Sequence, residues 1–378
     1  MRETQARKSG APTQLRNAEI MSKRLDADDR CPLRDGLFMP AEWESHARTW
    51  MAWPCRLEPW GSADGMLRAR LGHAAVARAI SGFEKVTIAV NPRDVDEARL
   101  MLGRGIEIFE VPIDDSWARD SGPIFVSDGR DSVAGVHWRF NAWGNKYLGF
   151  DEDAALGQRV IEALDMRRYE GPMVLEGGSV CVDGDGTLLT TEQCLLNPNR
   201  NPNLDRQQIE ERLALYFGVT KVIWLGEGLE DDETDGHVDN VACFAGPGRV
   251  LVYGAREKGG LNERVMRDNI ARLKSARDAR GRPFEIIELP EPARRARHDG
   301  RRLDMSYINF AFANYGIVMP SFDDPMDAVA AEIMEKTFAD RRIVQVPSLD
   351  IVEGGGGIHC ITQQQPAGQA LPPERHMR

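Results

Sequence analysis

Cysteine is scarce in this sequence, and what there is forms no recognisable pair. The six residues are Cys31, Cys55, Cys181, Cys194, Cys243 and Cys360, with no CxxC among them. Neither a disulfide framework nor a zinc-type set with the histidines can be read from that spacing, so a reduced, cytoplasmic setting is expected. No run approaches eighteen apolar residues, which excludes a long membrane-spanning helix, and the first thirty residues lack the apolar segment of a secretory signal. A basic excess is also missing. The net charge of −11 argues against a nucleic-acid partner and suits a site that attracts cations.

What is present is ordinary for a globular chain: 42% apolar and 28% charged residues over 378 positions, enough for one large domain or two. Residues 1–35 are polar and without periodicity and read as a disordered extension, inside which Met21 is an alternative start. Residues 366–378 read as a flexible tail. Between them, 36–365 read as one catalytic domain. Short apolar runs (Val86–Val90, Ile106–Val111, Ile124–Val126, Leu188–Leu189, Val222–Leu225, Val250–Val252) alternate with helical segments (Leu67–Phe83, Ala154–Leu164, Asp205–Phe217, Asn262–Arg280, Asp327–Phe338). Asp205 with Gln208 has the form of a capping box. The class is α/β or α+β with many strands.

The densest signal is Glu353-Gly-Gly-Gly-Gly-Ile-His-Cys360. Four glycines lose much backbone entropy on folding and make sense where the backbone, at Gly355 and Gly356 for example, must approach another group closely. A cysteine delivered there is a candidate nucleophile that needs a base and a grip on its substrate. Asp235-Gly-His237-Val-Asp239 offers a histidine and an acid two residues apart, which in extended chain share a face. Trp117-Ala-Arg-Asp120-Ser-Gly-Pro and Val174-Leu-Glu176-Gly-Gly add two more acids. Carboxylates match the fork of a planar guanidinium. Each residue also has a plainer reading: a buried thiol for Cys360, a core or surface histidine for His237, turn formers for Asp120 and Asp239. His359 neighbours Cys360, but in extended chain the two point to opposite faces, so packing is the expected role for His359. No histidine spacing suggests a metal, and no cofactor motif is present.

A faint repeat accompanies these residues. Val174-Leu-Glu-Gly-Gly echoes Ile351-Val-Glu-Gly-Gly, and polar residues precede apolar runs at Asp120, His237 and Ser306. Together with Trp138–Gly144, Leu188–Pro202 and Ser306–Phe310, these segments resemble the agmatine deiminase family of the guanidine-modifying pentein superfamily. The resemblance spans roughly residues 40 to 365. It implies a five-bladed pseudo-symmetric α/β propeller of ββαβ-type units around one central site. It implies hydrolysis of agmatine to N-carbamoylputrescine and ammonia through a covalent Cys-amidino intermediate, in polyamine and putrescine biosynthesis or arginine–agmatine catabolism.

The same resemblance implies roles for the residues singled out above. Cys360 is the nucleophile and His237 the proton carrier, Glu176 orients His237, and Asp120 and Asp239 hold the guanidinium. Trp117 lines the pocket, and Glu233 faces the substrate's amine. The expected partner is a small cationic guanidine, with no metal, cofactor, nucleic acid or membrane, and self-association left open. The stretch Arg294–Arg302 reads as a solvated loop. Residues 55–80 depart from the family pattern, which leaves another small guanidine open as the substrate. Arginine or peptidyl-arginine deimination, amidino transfer and an inactive binding protein are the competing readings.

Overall fold

The computed structural model describes residues 30–373. One unit recurs in it: two antiparallel strands, a helix, and a third strand parallel to the second. Parallel neighbours cannot be joined by a tight turn, so each unit needs a long crossover, and a helix satisfies its backbone on the way. Strands β1 (His46–Ala52) and β2 (Val86–Val90) are parallel and joined by α1 (Ala63–Ser81), and β3 (Glu107–Glu110) lies beside β2. Strand β4 (Ile124–Ser127) pairs antiparallel with β5 (Ser132–Arg139), and α2 (Asp151–Ala163) leads to β6 (Arg168–Val174), parallel to β5. The pattern repeats in β7 (Cys181–Val182), β8 (Thr187–Thr191), α3 (Arg206–Phe217) and β9 (Lys221–Leu225). It repeats again in β10 (Ala242–Gly246), β11 (Arg249–Gly254), α4 (Leu261–Ser275) and β12 (Glu285–Pro290). The last full copy is β13 (Ala311–Ala313), β14 (Gly316–Ser321), α5 (Met326–Thr337) and β15 (Arg342–Pro347).

The first unit lacks an antiparallel partner until the chain returns. Strand β16 (Thr362–Pro366) supplies it by pairing with β1. Five units therefore make a pseudo-symmetric α/β propeller of pentein type, closed by a strand from near the C-terminal end. Strand β2 is buried throughout, as a parallel strand covered on both faces should be.

The predicted helices fall close to the observed ones. Helix α3 starts with the expected reciprocal cap between Asp205 and Gln208. Helix α4 stops at Ser275, short of the expected Arg280. Asp278 Oδ1 accepts the backbone N–H groups of Arg280 and Arg282, at 2.9 and 2.8 Å, and this local turn competes with further helix.

Both predicted disordered ends need correction where the structure describes them. Pro32–Asp35 form a 3₁₀ turn, with Cys31 and Leu33 buried beside α3 residues such as Phe217. At the other end β17 (Gln369–Ala370) pairs parallel with β5. Apolar side chains in the first segment and a strand edge in the second found partners that their composition did not announce. Met21 and the remainder of both ends lie outside the described residues. Among the described residues, no helix is long and apolar enough to cross a membrane.

The consequence for the site is positional. The loop entering the first strand of each unit carries a polar group: Asp120 before β4, Glu176 before β7, His237 and Asp239 before β10, Asn309 before β13, and Cys360 before β16. The pseudo-fivefold arrangement turns five distant segments into one cluster.

Candidate active site

The centre of that cluster is Gly178. A Cβ added there would lie 2.5 Å from His237 Nδ1, 2.9 Å from Asp239 Oδ2 and 3.1 Å from Asp120 Oδ1. Three units thus converge on one point, and only the absence of a side chain at Gly178 allows it. Gly178 also donates its N–H to Asp120 Oδ1 at 2.9 Å. The indole of Trp143 donates to Asp120 Oδ2, also at 2.9 Å. Asp120 has these two neutral donors, while Asp239 and Glu176 stand near it as like charges. Burial above all, and then those neighbouring carboxylates, raise its pKa against the opposing pull of His237.

Cys360 sits in the turn before β16 with only 4% of its surface exposed. Its sulfur accepts an N–H from Asn309 Nδ2 at 3.2 Å and lies 3.5 Å from Asp239 Oδ2. Burial, and then the charges of Asp239 and Asp120, push the thiol well above its ordinary range. A cation placed between those carboxylates would offset both charges and favour the thiolate.

His237 is fully buried, with its Nδ1 3.9 Å from Asp120 Oδ2 and its Nε2 4.0 Å from Glu176 Oε2. Neither ring nitrogen has a hydrogen-bond partner, and Glu176 Oε2 and Asp239 Oδ1 are likewise buried without one. Buried polar atoms are normally satisfied, so these four remain available to a partner that the protein itself does not supply. The other oxygens of the same two carboxylates are held. Arg200 Nε donates to Glu176 Oε1 at 2.8 Å, and His359 Nδ1 bonds Asp239 Oδ2 at 2.8 Å. One potential metal-donor group occurs among the described residues, namely Glu176, Cys194 and His237, with donor atoms within 4.8 Å of one another. The guanidinium of Arg200 on Glu176 opposes a dication there.

The glycine run forms one wall. A Cβ on Gly356 would meet the Trp117 ring at 2.6 Å and lie 3.2 Å from Cys360 Sγ. Gly355 has φ +104, and a Cβ there would lie 2.7 Å from Glu233 Oε2. Trp117 is buried and stacks on Trp60, with ring centroids 6.0 Å apart. Trp117, Gly356, Gly355 and Glu233 therefore pack in series away from the thiol. Glu233 is not free: Tyr147 donates to its Oε2 at 2.9 Å, Arg297 to its Oε1 at 2.6 Å, and Arg301 pairs with the same oxygen. The expected solvated loop at 294–302 is thus corrected. Arg297 and Arg302 turn inward and are buried, because Glu233 and Glu291 offer them carboxylates.

Two steps in the sequence reasoning fail locally. His237 and Asp239 share a face through a 3₁₀ turn over Val238–Asn240, and not through extended chain. His359 and Cys360 do not point apart: both lie in a turn, and both reach Asp239 Oδ2. Face alternation is a property of strands, and neither pair is in one. Asn309, Trp143, Arg200 and Glu42 were given no role. The first three lie in the quoted motifs, but Glu42 had no signal beyond its nearness to them.

Fold and site together define a pentein-type propeller with a thiol-centred polar site at its axis. The profile of one family, described as Porphyromonas-type peptidyl-arginine deiminase, matches residues 38–366, and the chain belongs to that family. It is 44% identical to the agmatine deiminase of Ectopseudomonas mendocina, covering 89% of this chain and 98% of the relative. It is 45% identical to that of Pseudomonas syringae pv. syringae, covering 89% and 97%. The solved agmatine deiminase of Enterococcus faecalis superposes with a TM-score of 0.86 at 36% identity, over 91% of this chain and 99% of that one.

Proposed function

We propose that this chain hydrolyses agmatine to N-carbamoylputrescine and ammonia. The observation that carries the reading is the convergence on Gly178: two carboxylates and a histidine around one point, with Cys360 Sγ beside Asp239. That geometry suits a planar cation whose N–H groups need acceptors on two sides. The relatives named agmatine deiminase supply the substrate.

The chemistry follows from the positions. The guanidinium is held by Asp120 and Asp239, its charge draws the thiol of Cys360 toward thiolate, and the proton released passes to His237. Sulfur attacks the central carbon, forming the C–S bond. His237, next to Asp120 and Glu176, hands a proton to one nitrogen, the C–N bond breaks and ammonia leaves. Water then attacks the amidino carbon, His237 takes its proton, a C–O bond forms and the C–S bond breaks. The carbamoyl product departs and the thiol is restored. Glu233, one residue step along the glycine wall from the thiol, faces the amine end of the substrate.

Ammonia release measured with agmatine, arginine, a peptidyl-arginine and methylguanidine tests this reading. Agmatine should be the best substrate by kcat/KM. Cys360→Ala should be inactive yet bind agmatine, and acid quenching of the wild-type protein should show the amidino adduct on Cys360 by mass. Preference for a peptidyl-arginine, or turnover by Cys360→Ala, would refute it.

A further inference from the structure

His359 has a use that packing does not explain. Its Nδ1 lies 2.8 Å from Asp239 Oδ2, and its Nε2 lies 2.9 and 3.1 Å from the two oxygens of Glu42. Both ring nitrogens therefore face carboxylate oxygens, which only accept when ionised, so both must carry hydrogen. That makes the ring an imidazolium between two anions. Arg119 completes the group: it donates to Glu42 Oε1 at 3.4 Å and to the carbonyl oxygen of His359 at 3.3 Å. All four residues are buried. Two anions thus meet two cations. His359 holds Asp239 at Oδ2, the oxygen that also lies 3.5 Å from Cys360 Sγ, while Oδ1 is buried without a partner.

We propose that His359 is a positioning residue, one that Glu42 anchors and that fixes the Asp239 carboxylate for its grip on the substrate guanidinium. The inference rests on the guanidine-hydrolase reading above. The groups facing the ring are Asp239 and Glu42 as anions, Arg119 as a cation, and the thiol of Cys360 next in sequence. His46 lies behind, bonded through Nε2 to the Glu42 carbonyl oxygen at 2.8 Å. Cys181 and Cys243 line a small cavity together with Glu42, Asp239 and His359. Burial and Arg119 press the ring to lose its proton, and the two carboxylates overcome them.

Three variants test it, with agmatine as substrate. The amide nitrogen of His359→Asn can stand where Nδ1 does, whereas His359→Gln is closer in size to the native ring but reaches toward Glu42. The proposal expects His359→Gln to lose about a hundredfold in kcat/KM and His359→Asn about tenfold. A role in packing alone predicts the reverse order or equal losses. Glu42→Gln keeps the shape and removes the charge, so the ring should lose its proton at lower pH. Its kcat/KM should stay near wild type at pH 6 and fall about tenfold or more below it by pH 8.5. A Glu42→Gln profile parallel to wild type overturns the proposal, and this arm decides if the histidine variants do not fold. Wild-type protein with no turnover of any guanidine would instead sink the functional reading itself.

Discussion

Trp143 donates its indole N–H to Asp120 from a backbone that favours glycine. Its φ and ψ are 55° and 41°, between Ala142 at φ 52° and Gly144 at φ 90°. Such a conformation costs a bulky residue roughly 1–2 kcal/mol. The surrounding loop holds it there, and the product is one of the two donors that fix Asp120. Trp143→Phe keeps an aromatic ring and removes the donor. It should lower kcat/KM for agmatine by about tenfold, as expected for a hydrogen bond to a charged group. Wild-type kinetics in this variant would show that Gly178 alone positions the carboxylate.

Asp120 and Asp239 should respond alike to loss of charge. Asp→Asn at either position places an amide where an acceptor is needed and misaligns the carbon for attack. Each should lose about a hundredfold or more in kcat/KM. Glu233→Gln should be milder, because Arg297 and Arg301 already share its charge. Its KM for agmatine should rise about five- to tenfold while methylguanidine turnover is spared. Equal damage to both substrates would place Glu233 at the guanidinium end.

The raised thiol makes a kinetic prediction. In the free protein Cys360 deprotonates only above its ordinary value of 9.0. Alkylation of Cys360 by neutral iodoacetamide, followed by mass, should therefore still be climbing above pH 9. A cationic amidine electrophile brings its own charge between Asp120 and Asp239 and should react readily at neutral pH. Similar profiles for both reagents would mean that the carboxylates do not control the thiol.

Acid stability should report the Glu42 contact. Burial opposes ionisation of Glu42, but the charges of His359 and Arg119 prevail and bring it from an ordinary 4.5 to about 2. The stabilisation is present above pH 4.5 and is lost as pH falls toward 2. His359 is shifted the other way, so its share is present below its ordinary 6.5 and is lost as pH rises through the raised value. The Tm advantage of wild type over Glu42→Gln should be largest between these limits and shrink between pH 4.5 and 2. A constant Tm difference would argue that the two carboxyl states are equally accommodated.

Much of the molecule was legible in the sequence because it is local. Apolar runs and capping residues placed the strands and helices, and the glycines before Cys360 and after Glu176 marked where backbone comes close to other groups. The recurrence of polar residues ahead of apolar runs anticipated three of the five entry loops, and the Glu-Gly-Gly echo at 176 and 353 the other two. Tertiary structure decided which side chain holds which. His359 meets Asp239 across 120 residues and Glu42 across 317, and no periodicity spans such separations. A turn in place of a strand put His359 and Cys360 on the same carboxylate. Sequence determined that a thiol, a histidine and three acids would be available. Only tertiary packing determined which of their atoms are held by neighbours and which stay free for a substrate, because contacts such as His359 with Asp239 depend on how the units meet rather than on spacing along the chain.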